Sequence, residues 1–271
     1  NLGGAAGRHR CLVHIAHLSR CLAGRLAATL AGEMKPGMTV AWQVKERKAM
    51  SRSADYTLYV ARNSYAMIAQ AVLEEVGADY EVRWVEIFTD QPDRDLLAAS
   101  PHARVPALVG PDGTICETGA IALYVAERHG EPDLVIHPGS PERGRFLQWL
   151  HYMASTLQPD VMIQFHPELY FDDEAARQRF KTASGHRLAK VLGVIETALE
   201  PGPLFFGDKL TVCDYCLALQ TVWPEVFSTS IADYPNIARL TGLVTNRPAV
   251  QKVLAMHGQS AIDPALGERS A

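Results

Sequence analysis

From residue 55 onward the apolar positions fall into a readable order. Tyr56 to Val60 (YTLYV) is a short β-prone run. Across Tyr65 to Val76, Ile68, Ala69, Val72, Leu73 and Val76 recur at helical spacing, and Gly77 supplies a stop. Tyr80, Val82 and Trp84 then alternate with Glu81 and Arg83 before Val85 and Ile87, which predicts a strand. These three segments form a βαβ unit with an expected right-handed crossover. A short helix follows over Arg94 to Ala99. Val105-Pro106 opens another strand, Pro111-Asp112-Gly113 turns it, and Thr114 to Cys116 returns. Glu117-Thr118 starts a helix that closes near His129-Gly130, giving the order β-α-β-α-β-β-α.

Glu131 to Pro141 (EPDLVIHPGSP) carries three prolines, breaks both periodicities and reads as a linker. Beyond it the chain is expected to be helical over Glu142 to Leu157, Asp173 to Leu199, Thr211 to Phe227, Asn236 to Thr245 and Pro248 to His257. No strand-like block is read after Cys116. Thr211 at an N-cap and Asp214 three residues on form a variant capping box, with Leu210 and Tyr215 placed for a hydrophobic staple. Cys213 and Cys216 have redox spacing, but on a core helix without a partner pair they read as buried apolar residues.

The chain has 271 residues, 48% hydrophobic and 21% charged, ordinary for a globular protein of one large or two medium domains. A net charge of −4 gives no electrostatic reason to expect nucleic acid. No apolar run reaches the roughly 18 residues that span a bilayer. Charge is uneven, however. Residues 1–54 hold nine Lys/Arg against Glu33 and Glu46, whereas the remainder holds 17 against 28 acids. The division is therefore 1–54 as a basic extension outside the fold, 55–130, the linker 131–141, 142–258 and a tail 259–271. Translated upstream sequence, with Met50 or Met34 as the natural start, and an Arg-rich transit peptide both fit the first segment. Cys11, His14, His17 and Cys21 cannot share a zinc ion on one helix, because Cys11 and Cys21 would lie about 15 Å apart.

Two stretches carry candidate chemistry. Pro106 at a strand start indicates an edge or a cis turn. The exposed backbone beside it can pair with an extended peptide. Thr118 is a preferred N-cap type, and amides at a helix start attract an anion, so Glu117 and this helix start suit the charged end of a small zwitterionic peptide. The second stretch is the turn Ala61-Arg62-Asn63-Ser64-Tyr65, where the start of a helix can stabilise a thiolate. The turn has no cysteine of its own to serve as the nucleophilic thiol of disulfide exchange.

Val105-Pro106 followed by Glu117-Thr118, after a βαβ unit, resembles the glutathione-binding half of the cytosolic glutathione transferases. The resemblance covers nearly all of 55–258 and includes the Thr211-x-x-Asp214 box. It implies a thioredoxin-like α/β domain followed by an all-helical domain, with glutathione as co-substrate and no metal. Ser64 is the first choice to hydrogen-bond the thiolate and Asn63 the second, with Ser64 equally suited to cap the helix. Tyr65 borders the site or packs; Tyr56 and Tyr59 are expected to pack. Val105 offers its backbone beside Pro106, Glu117 and Thr118 take the γ-glutamyl end, and Arg104 or His102 meets the glycyl carboxylate. His151, Tyr152, Gln158 and Phe165 are expected at the electrophile pocket, with Gln148, His166 and Trp223 as further candidates. The family's plan also implies a homodimer acting in detoxification in the cytoplasm. A glutathione-dependent lyase, isomerase or ether-cleaving enzyme and a non-catalytic binding module are the alternatives on the same scaffold.

Overall fold

The computed structural model describes residues 54–130, 132–223 and 230–259, together with the backbone of 262–263 and 268–269. The basic extension and its Cys/His group lie outside the described residues, apart from residue 54 itself. A four-stranded sheet opens the fold, with β1 (Tyr56–Val60), β2 (Tyr80–Trp84), β3 (Ala107–Gly110) and β4 (Gly113–Cys116) in the order β2-β1-β3-β4. β1 pairs parallel with β2 and antiparallel with β3, so Leu58 lies opposite both Val82 and Leu108. The helices are α1 (Ala66–Glu75), α2 (Arg94–Ala99) and α3 (Thr118–His129). This is a mixed thioredoxin-like sheet with helices, as the periodicities predict.

Helix α1 joins the two halves. All eight residues from Ala66 to Leu73 are buried, against the sheet on one side and the following helical domain on the other. That domain comprises α4 (Arg143–Tyr152), α5 (Gln158–Phe165), α6 (Glu174–Ala198), α7 (Val212–Gln220), α8 (Pro235–Thr245) and α9 (Pro248–Met256). Three details depart from the sequence reading. α5 is an additional helix, reached from α4 through a π-helical turn at Met153–Leu157. Pro159 has no amide to give the preceding turn, and the backbone widens just before it. α7 stops at Gln220 rather than continuing to Phe227, consistent with a proline at 224 that cannot bond the carbonyl four residues back. A two-residue ladder pairs Ile262–Asp263 with Glu268–Arg269, where no strand was expected.

The capping box at the start of α7 is the buried polar centre of the second domain. Asp214 is fully buried and accepts from the Thr211 amide at 2.7 Å, the Thr211 hydroxyl at 2.8 Å and the Phe205 amide at 3.0 Å. The Val212 amide donates to Leu134 O at 2.9 Å, tying α7 to the interdomain segment. Burial pushes the Asp214 carboxyl up to about 6 against these three donors. Cys213 and Cys216 are buried on the same helix, and desolvation raises the Cys216 thiol to about 12. Such thiols are poor nucleophiles at neutral pH.

Thr211→Ala should cost about 0.5–2 kcal/mol, the usual range for a lost cap. Asp214→Ala strips the acceptor from two buried amides, so about 3 kcal/mol or more is expected. Urea unfolding of both variants checks the ranking, and equal costs would contradict it.

Candidate functional site

A cavity of about 780 Å³ opens between the two domains. Its first wall is the turn before α1, comprising Arg62, Asn63, Ser64 and Tyr65. Asn63 has φ 50°, in the left-handed region, where Asn is among the best-tolerated side chains. The Ser64 hydroxyl donates to Ala61 O at 2.8 Å and accepts from the Ala66 amide at 3.3 Å. Ser64 is thus a local cap as well as a cavity residue. Tyr65 lines the cavity but is 8% exposed, stacked edge-on against Trp223 at 5.8 Å, and its buried hydroxyl has no hydrogen-bond partner among the described residues. Desolvation raises this phenol well above its ordinary range.

The second wall comes from the loop before β3 and the start of α3. The Val105–Pro106 peptide is cis, and both residues line the cavity together with Arg104 and His102. Glu117 and Thr118 face the same space. Thr118 is not the cap expected from its residue type. Glu117 occupies the cap position at φ 72°, and its side chain makes no capping hydrogen bond. The change of direction between β4 and α3 falls on Glu117, and Thr118 is already helical.

Asn63, Phe88 and Glu117 line the cavity at positive φ, and Ala103 shares that backbone state between His102 and Arg104. They account for all the non-glycine residues at positive φ among the described residues. Concentration of unfavourable backbone at one cleft is a signature of functional sites.

The third wall is apolar. Gln158, Met162, Phe165 and His166 project from α5 and its end, and Trp223 stacks edge-on against Phe165 at 5.5 Å. Gln158, Phe165, His166 and Trp223, all named from the sequence, line this cavity. His151 and Tyr152 do not. His151 lines a separate cavity of about 320 Å³ beside Leu123 and Leu147, and Tyr152 packs against Trp149 at 5.3 Å. The π-helical turn at Met153–Leu157 separates these two residues from α5, whose Gln158, Met162 and Phe165 line the main cavity. Gln148 is exposed on α4.

Phe88, Met162, Leu169 and Tyr170 are cavity residues that the sequence reading missed, and Arg62 was named only as part of its turn. The Arg104 guanidinium lies 4.3 Å over Phe88, whose ring is tilted against His166 at 4.7 Å. The available signal was the run Pro167 to Phe171, an aromatic and apolar cluster in a stretch assigned to no element.

Behind the turn, the Asn63 amide donates to Nδ1 of His257 at 3.0 Å. His257 Nε2 lies 2.9 Å from Gln70 Oε1. Nδ1 must be an acceptor in this arrangement, so the proton sits on Nε2 and is donated to Gln70. Burial, with the Arg62 charge nearby, lowers His257 to about 4.

A family model described as the glutathione S-transferase N-terminal domain matches residues 54–127, and the C-terminal domain model matches 159–257. A glutathione S-transferase of Arabidopsis thaliana is 30% identical over 212 residues, spanning 74% of this chain and 97% of the relative. The chain belongs to the glutathione S-transferase family. Among solved structures, the ternary complex of BphK, a bacterial GST, matches at TM-score 0.67 and 28% identity, covering 74% of this chain and 99% of that one. A sphingomonad glutathione S-transferase complexed with glutathione matches at 0.67 and 26%, covering 74% and 98%.

The His257 geometry has a consequence for stability. An unfolded histidine near 6.5 binds protons before the folded one near 4, so the stability due to His257 is complete above pH 6.5 and is lost as pH falls towards 4. Asp214 acts with the opposite sign between its unfolded value of 3.8 and about 6, its raised value favouring the fold at the acidic end. The test is therefore a difference measurement. The stability gap between wild type and His257→Phe should shrink by about 3 kcal/mol from pH 7 to pH 4. A gap that does not change with pH contradicts the neutral buried imidazole.

Proposed function

We propose that this chain is a glutathione transferase, which activates the thiol of glutathione for attack on an apolar electrophile. One observation carries the reading. The turn at 63–65, the cis Val105–Pro106 edge and the start of α3 behind Glu117 all meet in a single cavity with an aromatic far wall.

In this reading the cysteinyl backbone pairs with Val105. Glu117 accepts from the γ-glutamyl ammonium, and the first amides of α3 at Thr118 receive its α-carboxylate. Arg104 or His102 meets the glycyl carboxylate, Arg104 being the better charge match. The sulfur then lies at the start of α1. Ser64 turns its hydroxyl from Ala61 O to the sulfur, Asn63 is a second donor, and the helix end adds its positive pole. Lowering a thiol by about two units needs ~2.7 kcal/mol of preferential thiolate stabilisation, within reach of one charged hydrogen bond and a helix terminus. The thiol proton leaves to solvent, sulfur bonds to the electrophilic carbon, and the leaving group departs with its electron pair. Phe165, Met162 and Trp223 hold the electrophile near the sulfur, so proximity supplies the rest of the rate.

The same reading makes the chain a homodimer, with the half-buried Leu123 of α3 and Leu147 of α4 on the contact surface. Sedimentation equilibrium should give twice the 29.7 kDa chain mass; a monomer removes this element.

A specific observation favours a second reading, a module that binds glutathione without turning it over: the Ser64 proton is already committed to Ala61 O. Conjugation of glutathione to a chloronitroarene separates the two. Transferase activity should appear in wild type and fall roughly 10–100-fold in kcat/KM for Ser64→Ala, the worth of one charged hydrogen bond. An unchanged rate takes Ser64 out of the mechanism. Retention on immobilised glutathione without turnover of haloarenes, haloalkanes, aryl ethers or maleyl-type diketo acids favours the binding module. Activity confined to the last two classes reassigns the enzyme as a lyase, ether-cleaving enzyme or isomerase.

A further inference from the structure

We infer that His257, just beyond α9, is a positioning residue that fixes the turn carrying Asn63 and Ser64 at the working distance from the sulfur. The inference rests on the transferase reading. His257 does not line the cavity, is 2% exposed and has no access to a substrate. Any effect on chemistry must pass through Asn63.

Three observations support it. First, Asn63 holds a left-handed backbone state without the help of glycine, at a cost of roughly 1 kcal/mol, and its amide is fixed by Nδ1 of His257. Second, the imidazole is itself fixed. Its Nε2 proton goes to Gln70 Oε1, and Gln70 is fully buried on α1, its own amide nitrogen lying 3.3 Å from Met256 Sδ. The Trp84 ring meets the imidazole edge-on at 5.0 Å, and the Arg62 guanidinium lies 4.8 Å over Trp84. Third, α9 is clamped against α1. Lys252 binds Glu74 at 2.8 Å, and Arg247 forms a two-pronged pair with Glu75.

The turn before α1 is thereby tied to a buried side chain of α1 by way of the last described helix. Ser64 is the next residue, so a shift of Asn63 moves its hydroxyl relative to the sulfur. Displacements of about 1 Å cost on the order of 100-fold in rate at a reacting centre. The charged group that acts on the imidazole is Arg62 on the turn; the Glu74–Lys252 and Glu75–Arg247 pairs lie further along α1 and α9, each acid matched by its own base. Arg62 disfavours a cationic imidazole, and a protonated Nδ1 would set two donors face to face at Asn63.

Side-chain isosteres separate positioning from mere packing. His257→Asn can offer its Oδ1 where Nδ1 stood, whereas His257→Gln reaches towards Gln70 but leaves the Asn63 amide bare. His257→Phe fills the space and bonds to neither. In Phe and Gln, amide exchange at Asn63 should speed up at least about tenfold, and the acidic limb of the kcat/KM profile should move up by about one pH unit. KM for glutathione should stay within about twofold, because Val105, Glu117 and Arg104 are untouched. Asn should restore both the exchange rate and the profile. Wild-type exchange and an unmoved acidic limb in Phe, or Asn no better than Gln, would overturn the inference. Should Phe fail to fold, the Asn and Gln pair decides. Should wild type not conjugate at all, the transferase reading fails, and Asn63 exchange alone then judges the brace.

Discussion

Helix α1 is the constraint on which the rest depends. Its eight buried residues leave no free face, so it is held at once by the sheet and by the helical domain. Most of that hold is apolar, through Met67, Ile68, Val72 and Leu73, each worth about 1.5–3 kcal/mol when fully removed from water. The polar side chains on α1 serve direction rather than bulk. Gln70, Glu74 and Glu75 each find a partner on α9 or its flanks, which fixes the rotation of α1 against the second domain. A helix gripped in this way carries the turn in front of it to a defined place, and that turn bears Asn63 and Ser64.

The remaining walls of the cavity are placed by features that a stable fold has no separate need for. Glu117 turns the chain at positive φ where a glycine would be relaxed, and Phe88 does the same opposite it. Each puts a cavity-lining side chain at a bend: a carboxylate at a helix start, and a ring beneath the Arg104 guanidinium. Stability in the second domain is supplied elsewhere, by the Asp214 box and the buried face of α7, so the cleft can hold unfavourable backbone without unfolding the whole.

Much of this could be read from residue order. A β-prone run gave β1, alternation gave β2, which ends at Trp84 before the Val85 and Ile87 read into it, helical spacing gave α1, and a Thr-x-x-Asp box gave the start of α7, because each is a local signal backed by the later packing. Several of the cavity residues named from sequence were attached to such signals: Ser64 after a strand, Pro106 before one, Glu117 before a helix. The misses have physical causes. α5 starts on a proline within a polar stretch and continues from a π-helical turn, so its three-to-four spacing is broken where it begins. His151 and Tyr152 were expected at the electrophile pocket, yet they end α4 before the added turn, His151 beside the smaller cavity and Tyr152 against Trp149. His257 is 194 residues from Asn63, and no local pattern links a histidine at a helix end to a turn in another domain.

The central claim is that the start of α1, held from both sides, makes a bound thiol acidic. The direct measurement is an ultraviolet titration of the thiolate of glutathione bound to the protein. The account predicts a midpoint about two units below the ordinary thiol value near 8.5. A bound thiol titrating at the free value would contradict it, whatever the affinity for the tripeptide.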